Sequence, residues 1–353
     1  VSAPAGPLRV AVDAGNLVRD RRGMGRVTRG ILRFALADAN IEVTLLADKR
    51  QDVRALEEEF PGVRLREAAS ARKRRAYDVV WFPFNGMRYG VAAPALVTMY
   101  DAFAFTRPHR SGVARRREQA PMRRAAREAA AFVTGSNWSR DELVRTPGID
   151  PRRTHVVAPA PDPYWFPALG DPAPEALAGQ RFVLAAAGEP RKNVRLALAA
   201  CARALRGPDE VLVLVGELMK ADRTLARKLR LRSLEIAPGD AMLRSLYRNA
   251  AAVLVPSLAE GFGLVAVEAM ACGAPVIAAN ASALPEATGG AALLLDVADP
   301  APWAEAIRTL LDDPGTASAW RARAAGRFAF ADRASPARAV LALLRELARG
   351  GAA

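Results

Sequence analysis

The chain has 353 residues, 51% of them hydrophobic, and a net charge of +14. At about 150 residues per domain this length suggests two domains, each with enough apolar residues for its own core. No apolar run reaches the roughly 18–20 residues of a membrane span, and the opening Val1-Ser2-Ala3-Pro4-Ala5-Gly6-Pro7 lacks the basic-then-apolar pattern of a signal peptide, so it reads as a disordered lead-in.

In chain order, Leu8–Asp13 reads as a first strand and is followed by a Gly- and Arg-rich loop, Gly15 to Gly25. Residues 26–38 place Val27, Ile31, Phe34 and Ala35 on one helical face. Strands are expected at Ile41–Ala47, Asp78–Phe82 and Ala95–Tyr100, a long Arg/Ala helix at 112–130 and a strand at Ala131–Gly135. A short helix, Asn137–Arg145, follows with Ser136 as its natural N-cap. His155–Ala158 closes the half.

Six prolines between 158 and 179 (Pro159, Pro161, Pro163, Pro167, Pro172 and Pro174) exclude a helix interior or central strand there and mark a linker. The alternation then restarts. Strands are expected at Phe182–Ala187, Val211–Val215, Ala252–Val255, Pro275–Ala279 and Ala292–Leu295, with helices at 193–206, 219–230, 240–250, 263–272 and over most of 301–348. Short apolar strands alternating with helices imply an α/β protein with parallel sheets covered on both faces. The expected organisation is two Rossmann-like domains, 1–165 and 175–334, with a C-terminal helix at about 335–353 packing back on the first. Ligands of such sheets bind beyond the carboxyl ends of the strands, and a cleft between two facing domains is the natural site.

Cys201 and Cys272 lie in apolar helical contexts and are expected as buried thiols of a cytoplasmic protein, a single disulfide being the alternative. His109 and His155 stand far apart with no Cys or carboxylate cluster, so no structural zinc site is expected. Residues 1–170 hold 29 Lys/Arg against 18 Asp/Glu, so the first half carries most of the positive field. That field suits an anionic partner, or it is simply Arg-rich solvated helix surface. The basic residues show no aromatic interleaving, which speaks against nucleic acid. Arg72-Lys73-Arg74-Arg75 and the series Arg115, Arg116, Arg117, Arg123, Arg124 and Arg127 belong to the first domain, with Arg116, Arg123 and Arg127 near one helical face. They leave two readings open: peripheral contact with an anionic membrane or a phosphate-bearing, lipid-linked acceptor, or a solvated helix in an enzyme acting on a small acceptor.

The most informative segment runs from Pro256 to Ile277. A strand ends, a turn Glu260-Gly261-Phe262-Gly263-Leu264 opens a helix, and Glu268 lies eight residues after Glu260. Glycines let a backbone approach a ligand closely, and a helix start offers unpaired N–H groups to an anion such as a diphosphate. Two carboxylates flanking that anion make sense as hydrogen-bond partners of sugar hydroxyls. Gly188-Glu189-Pro190-Arg191-Lys192-Asn193 places two cations at a strand's carboxyl end, which suits a leaving group with two or more negative charges. In the first half, Val12-Asp13-Ala14-Gly15 precedes Arg22-Gly23-Met24-Gly25-Arg26. As a nicotinamide fingerprint this fails, because Thr28 stands where the third glycine belongs and the first glycine comes ten residues after the strand.

Together these blocks resemble glycosyltransferase family 4, a retaining family of GT-B fold, in its mannosyltransferase-like branch. The resemblance spans about residues 8–345. It implies transfer of a hexose from a nucleotide-sugar donor, GDP-mannose-like or else a UDP-sugar, to a hydroxyl acceptor, lipid-linked or polysaccharide, with no metal and no separate cofactor. It implies that Glu260 contacts the transferred sugar and Glu268 the ribose. The backbone of Gly261, Phe262, Gly263 and Leu264 would lie near the donor phosphates and sugar, Arg191 and Lys192 on the diphosphate, Leu234 near the base, and the loop through Gly23 and Gly25 over the sugar phosphate. Val97-Thr98-Met99-Tyr100-Asp101 departs from the family pattern: Tyr100 replaces the usual histidine, while Asp101 matches as an acceptor-orienting group. Tyr100 then either offers a hydroxyl to the sugar or fills core. Thr134-Gly135-Ser136-Asn137 caps a helix or touches the donor. The expected thiols place the protein in the cytoplasm, and the basic series adds peripheral attachment at the inner membrane face as one form. A nucleotide-sugar epimerase and an NAD-dependent oxidoreductase are the rival enzyme classes.

Overall fold

The structure is a computed structural model that describes residues 6–20, 23–74, 76–106, 112–166, 174–329 and 334–350. The lead-in 1–5, Arg22, Arg75, His109, Pro167 and Pro172 lie outside the described residues. The chain divides into two compact units, Val1–Ala160 with Asp332–Ala353, and Pro161–Ala331.

Unit 1 alternates strands and helices: β1 (Leu8–Asp13), α1 (Met24–Ala37), β2 (Ile41–Leu46), α2 (Arg50–Glu59), β3 (Arg64–Arg66), β4 (Val79–Phe82), β5 (Ala95–Thr98), α3 (Phe103–Thr106), α4 (Gly112–Glu128), β6 (Ala131–Thr134), α5 (Asn137–Arg145) and β7 (Thr154–Val156). All its ladders are parallel, in the order β3-β2-β1-β4-β5-β6-β7. The central strands are buried apolar runs, as a sheet covered on both faces requires. Ser136 caps α5 by accepting from the Ser139 N–H at 3.0 Å, so the polar turn there serves the helix.

Unit 2 repeats the plan: β8 (Arg181–Ala186), α6 (Val194–Ala204), β9 (Glu210–Val215), α7 (Lys220–Lys228), β10 (Ser233–Ile236), α8 (Asp240–Asn249), β11 (Ala252–Val255), α9 (Leu264–Ala271), β12 (Val276–Ala279), α10 (Leu284–Thr288), β13 (Leu293–Leu295), α11 (Pro300–Asp312) and α12 (Pro314–Ala329). Its parallel sheet is ordered β10-β9-β8-β11-β12-β13. Each unit is therefore a Rossmann-like half.

The last helix, α13 (Ser335–Gly350), returns to unit 1. It buries Ala337, Val340, Leu341 and Leu344 in the core shared by β1 and α1, a spacing that forms one helical stripe. Arg345 pairs with Asp38 at its outer edge.

The proline-rich segment divides at 160/161, earlier than the expected domain end at 165. The cause is Trp165, which is fully buried in the core of unit 2. Its ring meets Tyr247 edge-on at 5.7 Å, and its carbonyl accepts from the Cys272 thiol at 3.0 Å. Cys201 and Cys272 are free buried thiols, and burial pushes the Cys201 thiol well above its usual range.

Candidate functional site

In a sheet of order 3-2-1-4-5-6 the chain leaves the first and fourth strands in opposite directions, and the crevice opens at their carboxyl ends. In unit 2 those strands are β8 and β11. The turn after β8 carries Arg191 and Lys192 in a single 3-10 turn, Pro190–Lys192. The turn after β11 carries Glu260. The two turns are tied together by the Leu258 N–H, which donates to the Arg191 carbonyl at 2.8 Å. The loop after β12 joins them: Ser282 accepts from the Glu260 N–H at 2.9 Å.

This places Glu260 between two cations. Its carboxylate accepts from Arg191 Nη1 at 2.8 Å and from Lys192 Nζ at 2.7 Å. Arg191 also reaches Glu189 at 2.7 Å. Burial by itself would raise the Glu260 pKa, but the adjacent Lys192 and Arg191 charges outweigh it and hold the carboxyl below its ordinary range. The arrangement brings Glu189, Arg191, Lys192 and Glu260 together at the mouth of a parallel sheet, with one buried carboxylate held between two donors. Cations held this way can take up an anion's charge in a water-poor setting.

Gly263 begins α9 at φ +103°, and a Cβ there would stand 2.8 Å from the Leu284 side chain, so only glycine suits this helix start. Leu264 and Glu268 sit one turn apart on the same face of α9. Glu268 is buried, as is Glu260. Gly261 is half-buried, and half-buried Phe262 packs on the unit 2 core. Leu234 is exposed on the edge strand β10, whose Glu235 pairs with Arg223 at 2.7 Å.

The remaining candidates belong to unit 1. The loop after β1 is clamped by Arg29 of α1, which donates to the Leu17 and Asp20 carbonyls at 2.8 and 2.7 Å and pairs with Glu59. Gly25 sits so close that a Cβ would lie 1.7 Å from the Asp20 carbonyl oxygen; its N–H donates to the Asp20 carboxylate at 3.1 Å. Gly23 precedes α1 at φ +50°. Tyr100 is pinned by its backbone, which donates to Asn85 at 2.6 Å and accepts from the Ser139 hydroxyl at 2.8 Å. Its own hydroxyl is buried beside Thr28, and burial raises its pKa. Asp101 accepts from the Phe103 N–H at 3.0 Å, starting α3.

On α4, Arg115, Arg116, Arg117, Arg123 and Arg127 are exposed, and Gln119, Met122 and Ala125 face inward. An open cavity of about 640 Å³ is lined by Arg115, Arg116, Gln119 and Arg123. Among the described residues no three His, Cys, Asp or Glu side chains gather as a metal-holding group, and no helix is long and apolar enough to cross a membrane.

Sequence reasoning missed Ser282 and Glu189 as parts of this arrangement. The signal for Ser282 was available: Asn280 and Ser282 follow directly on the buried apolar strand β12, at the carboxyl end where ligands collect.

Residues 175–327 match the family model described as Glycosyl transferases group 1, a stretch that contains Arg191, Lys192, Glu260 and Glu268. The chain is 32% identical over 255 residues to D-inositol 3-phosphate glycosyltransferase 1 of Catenulispora acidiphila, covering 63% of this chain and 59% of that protein. It is 33% identical over 226 residues to D-inositol 3-phosphate glycosyltransferase of Rhodococcus jostii, covering 56% and 48%. The chain thus spans about half to three-fifths of the length of these relatives, whose names are not those of mannosyltransferases. Among solved structures, HepE of Anabaena in complex with UDP and glucose has the same fold, with TM-score 0.72 and 17% identity over 96% of this chain and all of that one. Sucrose-phosphate synthase of Thermosynechococcus elongatus matches with TM-score 0.72 and 20% identity over 97% of this chain and 100% of that one. These neighbours share the GT-B fold of two Rossmann-like halves.

Proposed function

We propose that the protein is a glycosyltransferase that moves a sugar from a nucleoside diphosphate sugar to an acceptor hydroxyl, with retention of configuration and without a divalent metal. The observation that carries this reading is the Arg191–Glu260–Lys192 clamp at the carboxyl ends of β8 and β11. Arg191 and Lys192 stabilise the departing diphosphate, and Glu260 hydrogen-bonds the hydroxyls of the transferred sugar. The α9 start, Gly261 to Leu264, lies along the phosphates, Glu268 holds the ribose, and the base lies by Leu234. In unit 1, Asp101 orients the acceptor hydroxyl and Tyr100 supports the loop above it. The acceptor attacks on the face the diphosphate leaves, and the departing phosphate takes its proton, so no separate strong base is required.

Two donor readings have support. The Asp13-Ala14 and Gly23-x-Gly25-Arg26 resemblance favours a GDP-mannose-like donor. The UDP named with the HepE structure favours a UDP-sugar. A thermal-shift screen of UDP, GDP and CDP with their sugars tests the proposal. One nucleoside diphosphate should raise the melting temperature, by about 2.7 kcal/mol of added stability at a hundredfold excess over Kd. No response to any of them would argue against the proposal.

Glu268→Ala should weaken the selected nucleoside diphosphate by roughly 10- to 150-fold, the loss of a buried charge-assisted hydrogen bond of about 1.5–3 kcal/mol. Unchanged affinity by calorimetry would remove the ribose role. Transfer should also persist in excess EDTA; loss that Mn²⁺ restores would replace the metal-free reading with a metal-dependent one.

A basic face supports a further partner, an anionic membrane or a phosphate-bearing acceptor. Arg115, Arg116, Arg117 and Arg127 make no ion pair among the described residues, and each such cation near an anionic bilayer contributes about 1 kcal/mol, screened by salt. Vesicle sedimentation should show binding to anionic but not neutral lipid, fading at high salt and on changing Arg116, Arg123 and Arg127 to Glu. A supernatant-only result at low salt returns the helix to a solvated face.

A further inference from the structure

The switch point of unit 1 lies between β1 and β4, and the described chemistry there has no role so far. Asp13 ends β1. It is buried, accepts a long hydrogen bond, 3.4 Å, from the Gly15 N–H, and has the Tyr89 hydroxyl beside it. A carboxylate taken out of water is costly unless its lone pairs are met by donors. Burial pushes its carboxyl above the usual range, and the Arg88 guanidinium pulls it back.

Arg88, on the turn after β4, is exposed and makes no ion pair among the described residues. Between the two lies Gly15. A Cβ on Gly15 would be 3.6 Å from Asp13 Oδ1 and 3.6 Å from Arg88 Nη1. The space over Gly15 is thus bracketed by an acceptor-only group and a donor-only group. A hydroxyl matches both sides, because it donates to the carboxylate and accepts from the guanidinium. A bare cation would meet Arg88 unfavourably, and a bare anion would meet Asp13 unfavourably.

We infer that the mouth over Gly15 is a polyol subsite, in which Asp13 and Arg88 together hold a hydroxyl of the sugar or cyclitol that serves as acceptor. This rests on the glycosyltransferase reading for the word acceptor, but the subsite itself rests on Asp13, Gly15 and Arg88. Asp13 accepts from the hydroxyl and Arg88 donates to it.

The test uses the full chain and the probes myo-inositol, glucose and mannose, observed by saturation-transfer NMR in the presence of UDP or GDP. Wild type should bind at least one probe. Asp13→Asn should weaken it by roughly 10-fold or more, the loss of a hydrogen bond to a charged group. Arg88→Ala, a surface change that leaves the fold intact, should weaken it several-fold. Calorimetry of UDP and GDP, run beside it, should be unchanged in both variants. Equal polyol binding in wild type, Asp13→Asn and Arg88→Ala overturns the subsite, and so does absence of saturation transfer from wild type to all three probes. Polyol binding that depends on Asp13, in a protein that binds neither UDP nor GDP, keeps the subsite and removes the donor reading instead.

Discussion

Replacing both Arg191 and Lys192 with alanine should lower affinity for the nucleoside diphosphate by about 10² to 10⁴-fold while leaving the free nucleoside within a few-fold. Each residue supplies a charge-assisted contact of roughly 1.5–3 kcal/mol to the diphosphate, and the nucleoside lacks that group. The same double change strips Glu260 of its two ion-pair partners among the described residues, Arg191 at 2.8 Å and Lys192 at 2.7 Å. Leaving a buried charge uncompensated costs about 3–5 kcal/mol, so the melting temperature should fall as well. The pH dependence separates this from a general packing defect. In the native protein the Glu260 pKa is depressed, so the clamp stabilises above the ordinary carboxylate range, and that contribution is lost as pH falls through the lowered value. In the double variant burial, the largest influence, is opposed by the Ser257 hydroxyl without the two cations and raises the pKa, which reverses the sign: the penalty grows as pH rises and shrinks below about 4, where glutamate is protonated in the unfolded chain too. A stability deficit independent of pH, or equal losses for nucleoside and nucleoside diphosphate, would contradict the clamp's assignment.

Trp165→Ala should destabilise unit 2 by about 3–5 kcal/mol, the usual cost of emptying a buried tryptophan site. Trp165 is fully buried between Tyr164 and Tyr247, at 5.5 and 5.7 Å, and under the Cys272 thiol. It comes from the segment joining the units, so its removal tests whether that segment is part of a core. Guanidinium melts followed by nucleoside diphosphate binding report unit 2 directly. A loss below about 1 kcal/mol would mean the site collapses onto neighbouring side chains.

The parallel sheets were legible because their central strands, such as Val79–Phe82 and Ala252–Val255, are unbroken apolar runs between helical periods. Two of the four edge strands were not. Arg64–Arg66 and Ser233–Ile236 are short and half-exposed, and polar side chains on an unpaired edge leave no hydrophobic signal. Helix α2 was hidden for a related reason: of its ten residues only Asp52 and Leu56 are buried, so its charges describe solvent rather than periodicity. The sequence also placed Glu260, Arg191 and Lys192 at strand ends, yet their mutual ion pairs depend on β8 and β11 being neighbours, which chain order alone does not state. Asp13 and Arg88 meet for the same reason, through β1 beside β4.

The central claim is tested most directly by incubating the full chain with UDP-glucose and with GDP-mannose, adding myo-inositol, glucose or mannose as acceptor, and measuring the nucleoside diphosphate released. The account predicts release from one donor, stimulated by an acceptor and reduced at least 100-fold in Glu260→Ala, in which the nucleoside diphosphate still binds. Release from neither donor, or release that Glu260→Ala leaves intact, would contradict it.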